Sequence, residues 1–291
     1  MENLYKTAAS GQTSADAGRV RTDLAAERAG ALPDEPGRLC GVRSREENLR
    51  GGRMIRVEVL DEAGARAVGK PVGQYATLRL PPFGRGQERD AALTEAAADA
   101  LREMLPDGPC LVVGLGNQDI TPDALGPRAA EKILPTRHVT GETALPGFEA
   151  LRPVAVIAPG VLGQTGMESG EIASALIGLL RPSCLIAIDA LAAGSRDWLA
   201  CTVQMTDTGI APGSGVQNRR RELSAATLGV PVAAVGVPTV MDAPSPEGEP
   251  MIVTPREVDR LIDDAADFVA MAVNRALFPE LAAEDIRALM N

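Results

Sequence analysis

Histidine occurs once in this 291-residue chain, at position 138. That scarcity excludes multi-histidine metal sites and leaves any Ser-His or Cys-His mechanism dependent on His138 alone. Aromatic residues are also few, with four Phe, two Tyr and one Trp. The core must therefore be built from Ala, Val, Leu and Ile, which favours closely spaced helices on a parallel sheet. The four cysteines, Cys40, Cys110, Cys184 and Cys201, lie far apart with no Cys-x-x-Cys pair. Two of them sit inside apolar runs, where a thiol behaves as a small hydrophobe, and a reducing cytoplasm is the expected compartment. No unbroken hydrophobic run is long enough for a membrane span, because the most apolar stretch, residues 172–194, is interrupted by Arg181, Pro182 and Asp189. Nor does a basic, then apolar, leader open the chain. Positive charge is short: 29 Lys plus Arg against 39 Asp plus Glu give a net −10, which repels a phosphate backbone and argues against direct nucleic-acid binding.

What is present is an ordinary globular composition, 45% hydrophobic and 23% charged, long enough to bury one large core. Residues 1 to about 53 lack a sustained apolar period and read as a mobile or peripheral arm. From Met54, IRVEVL and QYATLRL alternate around the turn-prone GARAVGKPVG, as a two-stranded ribbon would. Beyond Cys110, the short apolar runs CLVVGLG, PVAVIAPG, CLIAIDA, LACTVQM and VPVAAVGVP are mostly separated by helix-like segments. That alternation predicts an α/β fold, a mainly parallel sheet with helices on both faces, whose working site lies at the carboxyl ends of the strands. The tail predicts an amphipathic helix with Thr254 as N-cap, Pro255 at its first position and Glu257 completing a capping box.

The loops after these runs are rich in glycine and small polar residues, so backbone amides can approach a ligand closely. Asp123 follows Thr121 and Pro122, a pattern that fits a first-turn acid at a helix N-terminus as well as a functional carboxylate. Asp189 ends the run CLIAI, where a buried charge is costly and is kept for a partner or for function. The triplet Asp207-Thr208-Gly209 matches the signature of pepsin-like proteases, but one copy amid α/β patterning fits a loop-shaping aspartate better. His138 reads as a solvated loop residue, and Ser214 lacks the spacing of a nucleophile elbow. GLGN has too few glycines for a dinucleotide site.

Taken in order, GLGNQDITPDALGP, PGVLGQTGMESGEI, IDALAA, TDTGIAPGSGV, LGVPVAAVGVPTVMDA and MIVTPREVD resemble the germination proteases of spore-forming bacteria, from about Arg21 to the C-terminal helix. The resemblance implies an endopeptidase, made as a zymogen in the forespore and acting in the spore core. Its substrates would be the small acid-soluble spore proteins that coat spore DNA, and it would work as a homotetramer. It also implies a phosphorylase/hydrolase-like sandwich similar to the hydrogenase maturation proteases, and an unusual aspartic-type mechanism with no metal or cofactor. The family's two proposed catalytic aspartates fall in TPDALGP and IDALA, hence on Asp123 and Asp189; Asn117, Glu168, Asp207 and Thr208 are expected to support substrate or loops.

The family's substrates are cut within a pattern resembling Thr-Glu-(Ile/Phe)-Ala-Ser-Glu, after the first acid, and Thr22 to Glu27 repeat those types in order. Cleavage is therefore expected between Asp23 and Leu24, in an accessible arm. It would release residues 1–23 as a propeptide and leave 24–291 as one α/β domain with a peripheral arm and ribbon over 24–88. Thr22 also suits the N-cap of an ordinary helix. The chain departs from the family at Gly194, where arginine is expected, at Gln217, and in its short 244–250 segment. Two alternatives stand beside this one: a metal-dependent maturation-type peptidase, for which only His138 could join the two acids, and an inactive relative that binds spore proteins without cutting them.

Overall fold

A computed structural model describes residues 22–30, 41–86, 89–140, 150–212, 221–243 and 251–290. The first helix and the antiparallel part are α1 (Ala25–Gly30), β1 (Val42–Leu49), β2 (Gly52–Val59), α2 (Glu62–Val68) and β3 (Gly73–Arg79). Then come α3 (Ala91–Arg102), β4 (Cys110–Gly114), a 3-10 turn at Thr121–Asp123, α4 (Leu125–Ala130), β5 (Val154–Ile157), α5 (Leu162–Thr165) and α6 (Ser169–Leu180). The chain continues through β6 (Cys184–Ala193), β7 (Thr202–Thr206), α7 (Ala225–Leu228), β8 (Val232–Ala243), β9 (Met251–Val253), α8 (Val258–Leu277) and α9 (Ala283–Met290).

All the strands join one sheet in the order β1-β2-β3-β7-β8-β6-β4-β5, with β9 on the end of β8. The expected parallel sheet is one half of it, β8-β6-β4-β5; the other half, from β7 outward to β1, is antiparallel. Strands buried on both faces explain the continuous apolar runs CLVVG and CLIAI. One face carries α3, α4 and α8 over a core that includes Leu78, Ile186, Val235 and Phe268. The opposite face holds two smaller clusters: α6 and α7 cover Leu111, Leu185 and Val232, while α1 and α2 cover Ile55, Val57 and Tyr75.

Three expectations are corrected here. The ribbon has three strands, and GARAVGKPVG contains a helix: Asp61 caps α2 by accepting from Gly64 N–H at 2.8 Å, and Gly69 ends it at φ 70°. The last long helix begins at Val258, because Thr254 gives its hydroxyl to the Thr239 carbonyl at 2.8 Å instead of capping, which ties the chain to β8. The segment from Thr22 is a docked element, not a peripheral arm. Leu24 and Ala25 are fully buried, and α1 packs on β2 and β3. Burying one leucine contributes roughly 2 kcal/mol, enough to hold a short segment that has little helical stability of its own. In this conformation the Asp23–Leu24 bond is therefore closed to any other protease molecule.

Candidate active site

Strands β4 and β6 run side by side with Gly114 opposite Ile188, and Leu115 N–H donates to the Ile188 carbonyl at 2.7 Å. The chain leaving β4 therefore starts beside Asp189. It turns at Gly116, whose φ is +117° and where a Cβ would lie 2.0 Å from the Asp123 carbonyl oxygen. The returning turn presents Asp123, half-buried, whose Oδ2 accepts from Asn117 N–H at 2.8 Å. Thr239 Oγ1 donates to the Pro122 carbonyl at 2.7 Å, fastening the same turn to β8. Asp189 is 4% exposed and accepts at Oδ1 from Ala190 N–H at 2.9 Å. The turn that carries Asp123 thus returns towards the carboxyl end of β4, and Asp189 lies on β6 just past the level where β4 stops.

Asn117 and Glu168 join this end of the sheet. Asn117 Oδ1 accepts from Gln164 Nε2 at 2.9 Å, linking the loops after β4 and β5; Glu168 begins α6, and its N–H donates to Glu171 Oε2 at 3.0 Å. Asp207 and Thr208 do not join it. Strand β7 is antiparallel to β8, so its carboxyl end lies beside the start of β8, where Thr208 bridges to Val232. Asp207 shapes that end of the sheet by accepting from Gln74 N–H at 2.8 Å. His138 lies on an exposed turn whose neighbours Thr136 and Arg137 bond to Val154, at the amino end of β5 and away from both aspartates. Among the described residues no group of three or more His, Cys, Asp or Glu is placed to hold a metal ion, and no helix is long and apolar enough to cross a membrane. Ser214, Gln217 and the 244–250 segment lie outside the described residues.

Between the two small clusters, on the face that Asp189 shares, lies a cavity of about 370 Å³. Leu191, Gln204, Thr206, Thr208 and Gly236 line it from the sheet, and Lys70 and Tyr75 from β3 and its approach. Thr22 and Asp23 close it. Burial pulls the Lys70 ammonium below the ordinary lysine range, with the charge of Asp23 acting against that shift. Burial also pushes the Tyr75 phenol up to about 12, with the Thr208 hydrogen bond opposing it. Because the folded-state value is above the unfolded 10, the stability tied to a neutral Tyr75 is intact below pH 10 and is lost as pH rises towards 12. Tyr75→Phe is expected to remove an alkaline loss of roughly 2–3 kcal/mol, read by denaturant unfolding between those two pH values. An identical pH profile in the variant would contradict this.

The docked segment answers to residues that sequence inspection did not single out. Asp23 N–H donates to the Ala192 carbonyl at 2.9 Å, and Ala192 N–H returns a bond to Asp23 Oδ2 at 2.8 Å. Glu27 Oε2 accepts from Thr22 Oγ1 at 2.6 Å and from Gly194 N–H at 2.8 Å. Gln204 Oε1 accepts from Ala25 N–H at 2.6 Å, while its Nε2 donates to the Asp23 carbonyl at 2.9 Å. The signal for Gln204 was available: it is a polar side chain inside the apolar run LACTVQM, 6% exposed, the same anomaly that marked Asp189. Ala192 and Gly194 act through their backbones and carry no such signal.

A sequence model of germination proteases matches residues 21–246. The chain is 36% identical to the germination protease of Caldanaerobacter subterraneus over 94% of its own length and 98% of the relative's. For that of Clostridium perfringens the values are 33%, 94% and 99%. For that of Priestia megaterium they are 43%, 78% and 64%. A solved NiFe hydrogenase maturation protease from Thermococcus kodakarensis superposes with a TM-score of 0.37 at 15% identity, covering 60% of this chain and 98% of its own. With a family match over most of its length and relatives above 30% identity across nearly all of it, the chain is a peptidase and belongs to the germination protease family.

Proposed function

We propose that this protein is the endopeptidase that begins the breakdown of small acid-soluble spore proteins at germination, and that it is made as a zymogen which cuts itself between Asp23 and Leu24. The observation that supports this reading is that the chain leaving β4, which turns back to carry Asp123, starts beside Asp189 on β6. In the reaction, one carboxylate removes a proton from water as the water oxygen attacks the peptide carbonyl carbon. The other, protonated, donates to the carbonyl oxygen or to the departing amine. Neither step calls for a metal or cofactor.

The acidic net charge of −10 suits an enzyme of the spore core that meets DNA-coating proteins without binding DNA itself. Gly194 N–H holds Glu27 of the self-substrate, through a backbone donor that arginine would also offer.

The test is to incubate the purified full chain with a purified spore protein and follow both by intact-mass measurement. The expected products are spore-protein fragments ending at the first acid of the pattern, and a chain shortened by 23 residues. An intact spore protein and an intact chain after prolonged incubation would overturn the proposal, and loss of cutting on chelation would move the mechanism to a metal.

A further inference from the structure

Four hydrogen bonds grip Asp23 and Ala25, three at their backbone and one at the Asp23 carboxylate, and two of the four come from one side chain. Gln204 Nε2 donates to the Asp23 carbonyl oxygen at 2.9 Å, and Gln204 Oε1 accepts from Ala25 N–H at 2.6 Å. The other two are the reciprocal pair between Asp23 and Ala192. The amide of Gln204 therefore straddles the bond, one atom on each side. Gln204 on β7 pairs with Gly236 on β8, and Gly236 pairs with Asp189 on β6, so the three share one rung of the sheet. Gly236, Gln204, Asp23 and Leu191 all line the same cavity, and Asp189 precedes Leu191 by two strand positions, which puts it on the same face. A Cβ at Gly236 would lie 2.7 Å from the Asp189 carbonyl oxygen and 2.6 Å from Leu191, so the Leu191 side chain covers this rung. Neighbouring strands are about 4.8 Å apart, which separates the Asp189 and Gln204 backbones by roughly 10 Å.

We infer that Gln204 is a catalytic residue of the self-cleavage: it registers the Asp23–Leu24 peptide and supplies the hydrogen-bond donor that takes up charge on the Asp23 carbonyl oxygen. This rests on the cleavage site proposed above. When the water oxygen bonds to the Asp23 carbonyl carbon, its proton passes to a carboxylate and the carbonyl electron pair moves onto the oxygen. Gln204 Nε2–H holds that oxyanion. The C–N bond then breaks as the pair returns, and the Leu24 nitrogen takes a proton. A donor already aimed at the oxygen costs no reorganisation during the reaction, and loss of one such donor lowers turnover by about 10²–10³-fold.

The experiment measures the first-order rate of Asp23–Leu24 cleavage in the full chain by intact mass, together with hydrogen exchange at the Ala25 amide. Gln204→Glu keeps an acceptor for Ala25 N–H and removes the donor to the carbonyl. It is expected to slow cleavage about 10²-fold or more while the Ala25 amide stays protected. Gln204→Met is expected to lose both. Gln204→Asn withdraws the amide by one methylene without burying a charge; it is expected to slow cleavage similarly with cooperative unfolding retained, which keeps the inference open to refutation if the Glu variant fails to fold. Cleavage in Gln204→Glu or Gln204→Asn within threefold of the parent would overturn it. Faster cleavage would also overturn it, making Gln204 a restraint on the segment. A parent chain that stays uncut at Asp23–Leu24 removes the proposed cleavage site and this role together, whereas a parent that cuts beside variants that cut equally well removes only the role of Gln204.

Discussion

Replacing Asp189 with Asn is expected to leave a folded protein whose cutting, of itself and of spore proteins, falls by about 10³-fold or more. The magnitude is that of losing a positioned proton donor or acceptor, compounded because the two carboxylates act as a unit. Folding should survive, because Asn has the same shape and keeps the Oδ1 acceptor that Ala190 N–H reaches at 2.9 Å. Exchanging a buried acid for a neutral amide also removes a costly charge, so unfolding is not expected to move to lower temperature by more than a few degrees. Asp123→Asn should behave alike, since an oxygen remains to accept from Asn117 N–H. Cleavage rates beside thermal unfolding curves decide the matter. An Asp189→Asn enzyme with full activity would remove the carboxylate-pair mechanism, and one that unfolds would make Asp189 a structural residue.

The second large effect concerns a residue with no side chain. Gly126 sits at the start of α4, where the helix comes down onto the junction of β4 and β6. An added Cβ would lie 2.2 Å from the Leu115 carbonyl oxygen, 2.4 Å from the Ile188 carbonyl oxygen and 2.5 Å from the Leu115 nitrogen. All three are backbone atoms of the sheet's middle, so none can swing aside. Gly126→Ala must push α4 off the sheet, at a cost of about 3–5 kcal/mol. Because the Thr121–Asp123 turn leads directly into α4, the displacement would also carry Asp123 away from Asp189. Denaturant unfolding should show the loss of stability, and cleavage by whatever fraction remains folded should fall further than that fraction alone explains. A variant as stable as the parent would mean that this helix-sheet contact has more slack than the backbone distances allow.

The parallel half of the sheet was legible because β4, β6 and β8 are buried on both faces and therefore read as apolar runs. The antiparallel half was less so. β1 is exposed along nearly its whole length and carries VRSREENL, a charged edge strand without an apolar stripe. Asp189 announced itself as a charge in an apolar run, whereas Asp123 could be told from an ordinary first-turn acid only through the motif around it. The direction of β7 was invisible, which is why Asp207 and Thr208 seemed to belong with the aspartates: strand direction depends on pairing partners far away in sequence. The docking of Thr22 to Glu27 was hidden for the same reason, since its partners Ala192, Gly194 and Gln204 lie 167 to 181 residues along the chain.

Leu24 is completely buried, and its N–H makes a 3.0 Å bond to the hydroxyl of Thr22, two residues back. Cutting before Leu24 would take that hydroxyl away with the released piece and turn a neutral amide into an ammonium ion, whose ordinary pKa of about 8 keeps it charged at neutral pH. A positive charge that has lost that hydroxyl and faces apolar neighbours costs several kcal/mol in such a place. The new chain end would therefore have to leave its seat or find an anion, so the severed ends could not settle back as they were. Hydrolysis of this one bond would work as a ratchet, using the solvation of an ion to hold open what the apolar contacts of a single leucine had kept shut.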